Sequence, residues 1–443
     1  MNRRIQWITV ILWLATSLPA AGQNPEPIRA EASRQAVYAY DLCKHLHQHP
    51  ELSFQEFETA KRMAMELEKL GFTVTRNFGG NSVIGLFRNG PGPVVMLRTD
   101  MDALPVEEKT GLEFASTRKA VNTAGVEVPV MHACGHDIHM SVWVGTLRSL
   151  VSLKKEWSGT LLVVAQQAEE VSGGAGNVLE AGLYAKFPLP SCALAFHINP
   201  ELPSGSVGIA GGPVFGGVKT VEITVRGKGG HGAYPEKCVD PVVMASRLVL
   251  DLQTIISREI SPLDPAVITV GSIHGGTRPN IIPAEVKLEL SLRYYSEPVL
   301  NHMLTSIRRM ADGAAQSAGL DVKNYPEVNI LPELTPPVIN EPVLAQKLKT
   351  FTGGILGNDK VVEVKPAMVA EDFGKYGVTP EKISLGLMWL GSSDPELLKT
   401  LKENGEEPAP LHSPNLLPDY RKTIETGIKA MTGNVIGLLK PVK

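Results

Sequence analysis

Cysteine is scarce in this chain, with four in 443 residues. A fold stapled by disulfides is therefore excluded. The paired-cysteine spacings of structural zinc sites are missing. So is the zinc-deaminase pattern of His-x-Glu with a later Pro-Cys-x-x-Cys. Neither sign of charge is in surplus: Lys and Arg number 43, Asp and Glu 46, for a formal net charge of −3. With no block of like charge either, the surface offers no electrostatic footprint for nucleic acid or anionic lipid. After the N-terminal segment no window is apolar enough to span a bilayer. No internal repeat and no low-complexity tract appear. What is present is a 43% hydrophobic, 20% charged chain with 42 glycines and 33 prolines. That is a soluble, turn-rich globular composition, long enough for two or three domains.

Residues 1–22 read as an address. Arg3 and Arg4 precede the short apolar run 7–18, and Pro19-Ala20-Ala21-Gly22 brings small residues. A charged start, an apolar core and a small-residue exit make a secretory signal peptide. The mature chain is expected to begin near Gln23 and to be periplasmic or extracellular, with no stable membrane span after cleavage. Of the other thiols, Cys43, Cys192 and Cys238 are odd in number, and Cys192 reads as core filler.

Helical periodicity is expected over 34–49, 54–70 and 139–153. Continuous apolar runs at 94–98, 160–165 and 193–197 are buried-strand patterns. Apolar strands alternating with helices indicate a mostly parallel sheet covered on both faces. Near Gly211-Gly212-Pro213 the texture changes. Strict alternation at 219–226, 266–273 and 284–293, helices at 241–256 and 298–317, and a last strand at 321–328 give the order β-α-β-β-α-β, a ferredoxin-like unit. The proline-rich stretch 331–337 reads as the linker back. The expected fold class is α/β. A mixed-sheet catalytic domain with helices on both faces (23–213 and 331–443) is interrupted by a ferredoxin-like domain at 214–330.

Ligands in open α/β sheets bind beyond the carboxyl ends of the strands. The strand at 94–98 is followed by Asp100 and Asp102, the strand at 160–165 by Glu169 and Glu170, and the strand at 193–197 ends on His197. Before the helix at His139 lie His132, Cys134, His136 and Asp137, with Gly135 permitting a tight turn. Each has a plain structural reading by itself: Cys134 as a small buried residue, the histidines as helix caps, Glu169-Glu170 as a solvated helix start, His197 as core. His412 stands in a proline-rich loop. His231 lies among glycines, which let backbone approach a ligand closely. Together, one thiol, several imidazoles and the carboxylates converge on one sheet edge. That suits one or two divalent ions.

The strings HQHPELSFQE, RTDMDALPVEE, MHACGHDIHM, QQAEE, GGHGAYPE, RPNIIP and EDF, in this order, resemble the amidohydrolase branch of the zinc-peptidase family that contains aminoacylase, carboxypeptidase and hippurate hydrolase. Within it the chain is similar to the N-acyl-amino-acid amidohydrolases. The resemblance runs from about residue 42 to 420. It implies two divalent ions, zinc or manganese, held by Cys134, His136, Glu170, His197 and His412. It implies Glu169 as the base and Asp102 in the metal-orienting carboxylate position. It also implies an inserted lid that dimerises, so that a homodimer is expected. His231 would then reach an active site across the interface, with Asn280 and Arg278 near the substrate. Glu371-Asp372-Phe373 receives no role. The expected activity is metal-dependent hydrolysis of the amide bond of a small N-acyl amino acid. The alternatives are a metallo-exopeptidase acting on dipeptides, a cysteine amidase with Cys134 as nucleophile, and a non-catalytic metal- or ligand-binding protein on the same fold.

Overall fold

The computed structural model describes residues 25–440. The segment read as a signal peptide lies outside these residues. No helix among the described residues is long and apolar enough to cross a membrane. All four cysteines are free thiols.

The larger body is built on a mixed ten-stranded sheet. Its order is Thr73–Thr75, Val83–Asn89, Gly159–Gln166, Val94–Asp100, Cys192–Pro203, Ser384–Ser393, Val338–Asn340, Gly212–Phe215, with Val207–Gly208 and Val361–Val362 paired off this path. The central strands Gly159–Gln166, Val94–Asp100, Cys192–Pro203 and Ser384–Ser393 run parallel. They are apolar along almost their whole length because both faces are covered. One face carries the long helices Glu26–Gln48, His136–Ser152 and Tyr420–Leu439, packed with Leu97, Leu161, Val163 and Leu194. The other carries shorter pieces, Gly174–Glu180, Leu183–Lys186 and the 3-10 turn Asp372–Gly377, around Met96, Leu162, Phe373 and Tyr376.

The smaller body is an antiparallel sheet of four strands: Ala266–Gly275, Glu285–Tyr294, Gly217–Arg226 and Glu327–Thr335, in that spatial order. The helices Pro241–Thr254 and Glu297–Ser317 cover its apolar face with a core of their own, including Val221, Leu248, Leu288, Leu290 and Met303.

Three local expectations are corrected. The strand read at 321–328 begins only at Glu327. Val322–Asn324 is a 3-10 turn, and Pro326 removes the donor a strand would need there. The stretch 331–337 is strand as far as Thr335. Pro332 is tolerated because the ladder shifts register opposite Lys219 and Val221, on the edge strand of this sheet. The chain therefore leaves the small sheet at Pro336-Pro337. The helix expected at 139–153 starts three residues earlier, at His136.

Candidate metal centre

The turn Ala133-Cys134-Gly135-His136 joins the isolated bridge Leu104–Met131 to the helix His136–Ser152. Gly135 sits at φ +77, a left-handed conformation that side chains disfavour, and a Cβ there would lie 2.3 Å from Ile198 Cδ1. Only glycine lets this turn pass under Ile198. Cys134 and His136 then face the same space. His136 donates its Nδ1 proton to the Asp102 carbonyl (2.8 Å), leaving Nε2 without any hydrogen-bond partner.

A second turn, Ala168-Glu169-Glu170, follows the strand Gly159–Gln166. Its backbone is held by Asp102, whose carboxylate accepts the N–H of Glu169 (3.1 Å), the N–H of Glu170 (3.0 Å) and the Ser53 hydroxyl (2.6 Å). Asp102 is thus saturated with donors and fixes two things at once, the His136 ring and the carboxylate turn. Burial raises its pKa, and the His136 and Ser53 contacts overcome this and hold it below the usual range.

His197 comes from the strand Cys192–Pro203. Its Nδ1 donates to the Ile198 carbonyl (2.8 Å), so Nε2 keeps a lone pair, 3.4 Å from Cys134 Sγ. His412 is half exposed, in an irregular loop at φ +67. Its backbone N–H is tied to the Ala133 carbonyl (2.8 Å), and Nε2 lies 3.4 Å from Glu170 Oε2. The ligand atoms of Cys134, His136 and His197 lie within 4.8 Å of one another, and so do those of Cys134, Glu170 and His412. Cys134 belongs to both sets. Two ion positions sharing one thiolate are what this arrangement can supply.

The surroundings call for positive charge. Asp100, Asp102, Glu169, Glu170, Glu371 and Asp372 crowd the region, and among the described residues Arg98 is the one guanidinium paired with them. Burial, then Glu170, Glu169 and Asp100, push the Cys134 thiol well above its ordinary value. A nucleophilic cysteine needs the opposite, an electropositive setting that favours thiolate, so the cysteine-amidase alternative loses its footing. Burial alone would lower His136, yet Asp100, Asp102 and Glu170 together raise it to about 10. Both groups therefore hold protons that a divalent cation would displace. The unpartnered Nε2 of His136 and Oε1 of Glu170 are further donor atoms waiting for one. The residues present fit a pair of divalent ions.

Of the five metal-capable side chains between 132 and 139, two have other work and a third, His132, joins no ligand set among the described residues. His139 donates from Nδ1 to Asp100 (2.8 Å) and accepts the Ile198 N–H at Nε2 (2.9 Å), so neither nitrogen is free for a metal. Asp137 turns away to His47 (2.9 Å). His132 is buried, its ring nitrogens without partners. Sequence reasoning missed Arg98. Its fully buried guanidinium pairs with Asp100 (2.7 Å), Glu371 (2.9 Å) and Asp372 (2.9 Å). Through Asp100 and His139 it fixes the peptide next to His197, and it gives Glu371 and Asp372 the role the sequence withheld. Arg98 lies in the RTDMDALPVEE string, but its partners Glu371 and Asp372 are 273 and 274 residues away.

Glu169 is buried, and its Oε2 lies 3.9 Å from His136 Nε2. Among the described residues its carboxylate accepts no protein hydrogen bond. Burial, then Glu371, Glu170 and Asp372, raise its proton affinity strongly. It can take up and release a proton, which donor-saturated Asp102 cannot. His231, Arg278 and Asn280 are not brought to this centre. They stand exposed on two adjoining loops of the small body, where His231 pairs with Ile281 and the Gly232 N–H meets the Asn280 carbonyl at 2.9 Å.

Residues 96–409 match the sequence model of peptidase family M20/M25/M40. The chain is 35% identical over 406 residues to an N-acetyldiaminopimelate deacetylase of Lactobacillus helveticus, covering 89% of this chain and 96% of the relative. It is 33% identical over 358 residues to an N-acetylcysteine deacetylase of Bacillus subtilis, covering 80% and 88%. Its structure is similar to that of the Bacillus subtilis YXEP protein, described as a dinuclear metal binding peptidase from the M20 family. The TM-score is 0.75 at 27% identity, over 92% of this chain and 99% of that one.

Proposed function

The chain belongs to peptidase family M20/M25/M40, and from that premise we propose how its own residues hydrolyse the amide bond of a small N-acyl amino acid. The observation that carries the reading is the pair of ligand sets meeting at Cys134, with Glu169 beside them and free of protein donors. Cys134, His136, Glu170, His197 and His412 would hold two divalent ions. When bound, such ions acidify a water toward a pKa of about 7 and polarise a carbonyl. Thiolate and imidazole favour zinc, while the carboxylates also admit manganese.

Glu169 accepts the proton of the attacking water and returns it to the departing amine nitrogen. Asp102 keeps Glu169, Glu170 and His136 in register through two backbone N–H groups and its own carbonyl. The oxyanion donor is His231, with Arg278 and Asn280 on the neighbouring loop positioned for the substrate's polar groups. They reach the centre from a second copy in a homodimer. Their exposure on the small body, and the unpaired outer edge of Ala266–Gly275, support that arrangement. The charged-apolar-small pattern of residues 1–22 supports export, which cell fractionation tests.

Glu169→Gln keeps the shape and removes the proton acceptor. Turnover of N-acetyl amino acids should fall about 10³-fold or more while metal content stays that of the wild type. Retained turnover would take the base role from Glu169. Assayed alongside, dipeptides should be poorer substrates than N-acetyl amino acids; the reverse preference would make the enzyme an exopeptidase.

A further inference from the structure

Two buried carboxylates, not one, hold the turn that carries the base. Asp102 takes the N–H groups of Glu169 and Glu170. The preceding N–H, that of Ala168, goes to Glu56 Oε1 at 2.8 Å. Glu56 is fully buried and comes from the connector between the first two helices, 112 residues upstream. Its Oε1 also accepts the Phe54 N–H (3.0 Å), and its Oε2 accepts Asn81 Nδ2 (3.2 Å). The connector is anchored to the same place by Ser53 on Asp102 (2.6 Å) and by the Ala103 N–H on the Glu51 carbonyl (2.8 Å).

Ala168 needs this support. It is buried and lies at φ +49, a left-handed conformation in a residue with a Cβ. Such backbone persists only where the surroundings over-determine it. On the far side its carbonyl accepts the N–H groups of Gly173 (3.0 Å) and Gly174 (3.1 Å). On the near side Glu56 supplies its N–H partner. Without that partner the N–H is orphaned in a dry interior, and the turn is free to relax toward ordinary backbone.

We propose that Glu56 is a positioning residue for the Glu169 base, acting through the left-handed Ala168 peptide. The inference rests on the reading of Glu169 given above. It touches neither substrate nor metal, so its loss should move the reacting geometry and leave metal binding in place. A displacement near 1 Å costs up to about 10²-fold in rate.

The experiment uses the full-length enzyme with an N-acetyl amino acid, reading kcat, KM, metal content per chain and Tm. Glu169→Gln is measured first. If it retains turnover, the base reading fails and this inference falls with it. If it is inactive, Glu56→Ala is expected to lower kcat about 10- to 100-fold, with KM within about twofold and metal content unchanged. Wild-type kcat in Glu56→Ala would overturn the proposal while leaving the base reading intact. Equal loss of metal and kcat would also overturn it, since that is a general structural defect. The rescue arm covers a variant that fails to fold. Glu56→Gln keeps an acceptor for Ala168, and pairing it with Asn81→Asp supplies a partner for the new amide N–H. The double variant should restore kcat to within about threefold. A soluble double variant as slow as Glu169→Gln would contradict the proposal.

Discussion

At the residue scale, Gly135 decides whether Cys134 and His136 can face one point. Its φ of +77 and the 2.3 Å approach to Ile198 Cδ1 leave no room for a methyl group. Gly135→Ala should cost about 1–2 kcal/mol in backbone strain alone, and more from the clash. The expected outcome is a lowered Tm together with metal content well below that of the wild type; unchanged values of both would remove the turn from its role. Of the proposed ligands, Cys134, His136 and Glu170 were legible because they stand in recognisable strings and His197 because it ends a buried strand, whereas His412, in a proline-rich loop, was assigned only through the family resemblance. Arg98, His139, Ser53 and Glu56 were not legible. What defines them is the atom at the other end of the hydrogen bond, and spacing along the chain says nothing of that. His139 looked as eligible a ligand as His136 until both its nitrogens were seen to be engaged.

At the scale of elements, the helix His136–Ser152 delivers His136, a proposed ligand, from its first turn, and that end is clamped from below. Asp137 meets His47 Nδ1 at 2.9 Å, and His47 Nε2 lies 3.1 Å from Glu108. The ring also packs edge-on against Phe114 and Tyr420. Burial lowers His47, but the two carboxylates outweigh it and raise it to about 9 from 6.5. A raised histidine stabilises fully below its unfolded pKa, and that stability is lost as pH climbs through the folded value. The contribution, on the order of 3 kcal/mol below pH 6.5, should drain away between about pH 6.5 and 9. Denaturant unfolding of wild type and His47→Gln would show this as a stability gap that narrows over that window. A gap independent of pH would contradict a charged clamp. Long apolar strands and amphipathic helices were readable from periodicity. The start of this helix was not, because Gly135 and two polar residues mask the apolar repeat there. Nor was the strand Glu327–Thr335, whose Pro332 is accommodated by a bulge between Ile330 and Leu334 that only the pairing with its neighbour reveals.

At the scale of the whole molecule, the chain folds as two bodies. The larger carries Glu169 and the proposed ligands, the smaller the exposed loops of His231, Arg278 and Asn280. The change in texture near Gly211 made the insertion legible. Which copy of the small body serves which centre is a property of the assembly and has no trace in one chain. If His231 acts across a homodimer, mixing inactive Glu169→Gln with inactive His231→Ala under exchange conditions should restore about a quarter of wild-type activity. Half the dimers would then be mixed, each with one complete site. No recovery in verified mixed dimers would place His231 within its own chain's site.

The most direct test counts metal. Elemental analysis of the purified enzyme should give two divalent ions per chain, and anomalous diffraction should place both beside Cys134. Cys134→Ala, which removes the thiolate common to both ligand sets, should lose ions and turnover together. A metal-free enzyme that hydrolyses N-acetyl amino acids undiminished, or a Cys134→Ala variant with both ions and full turnover, would contradict the dinuclear centre and the chemistry built on it.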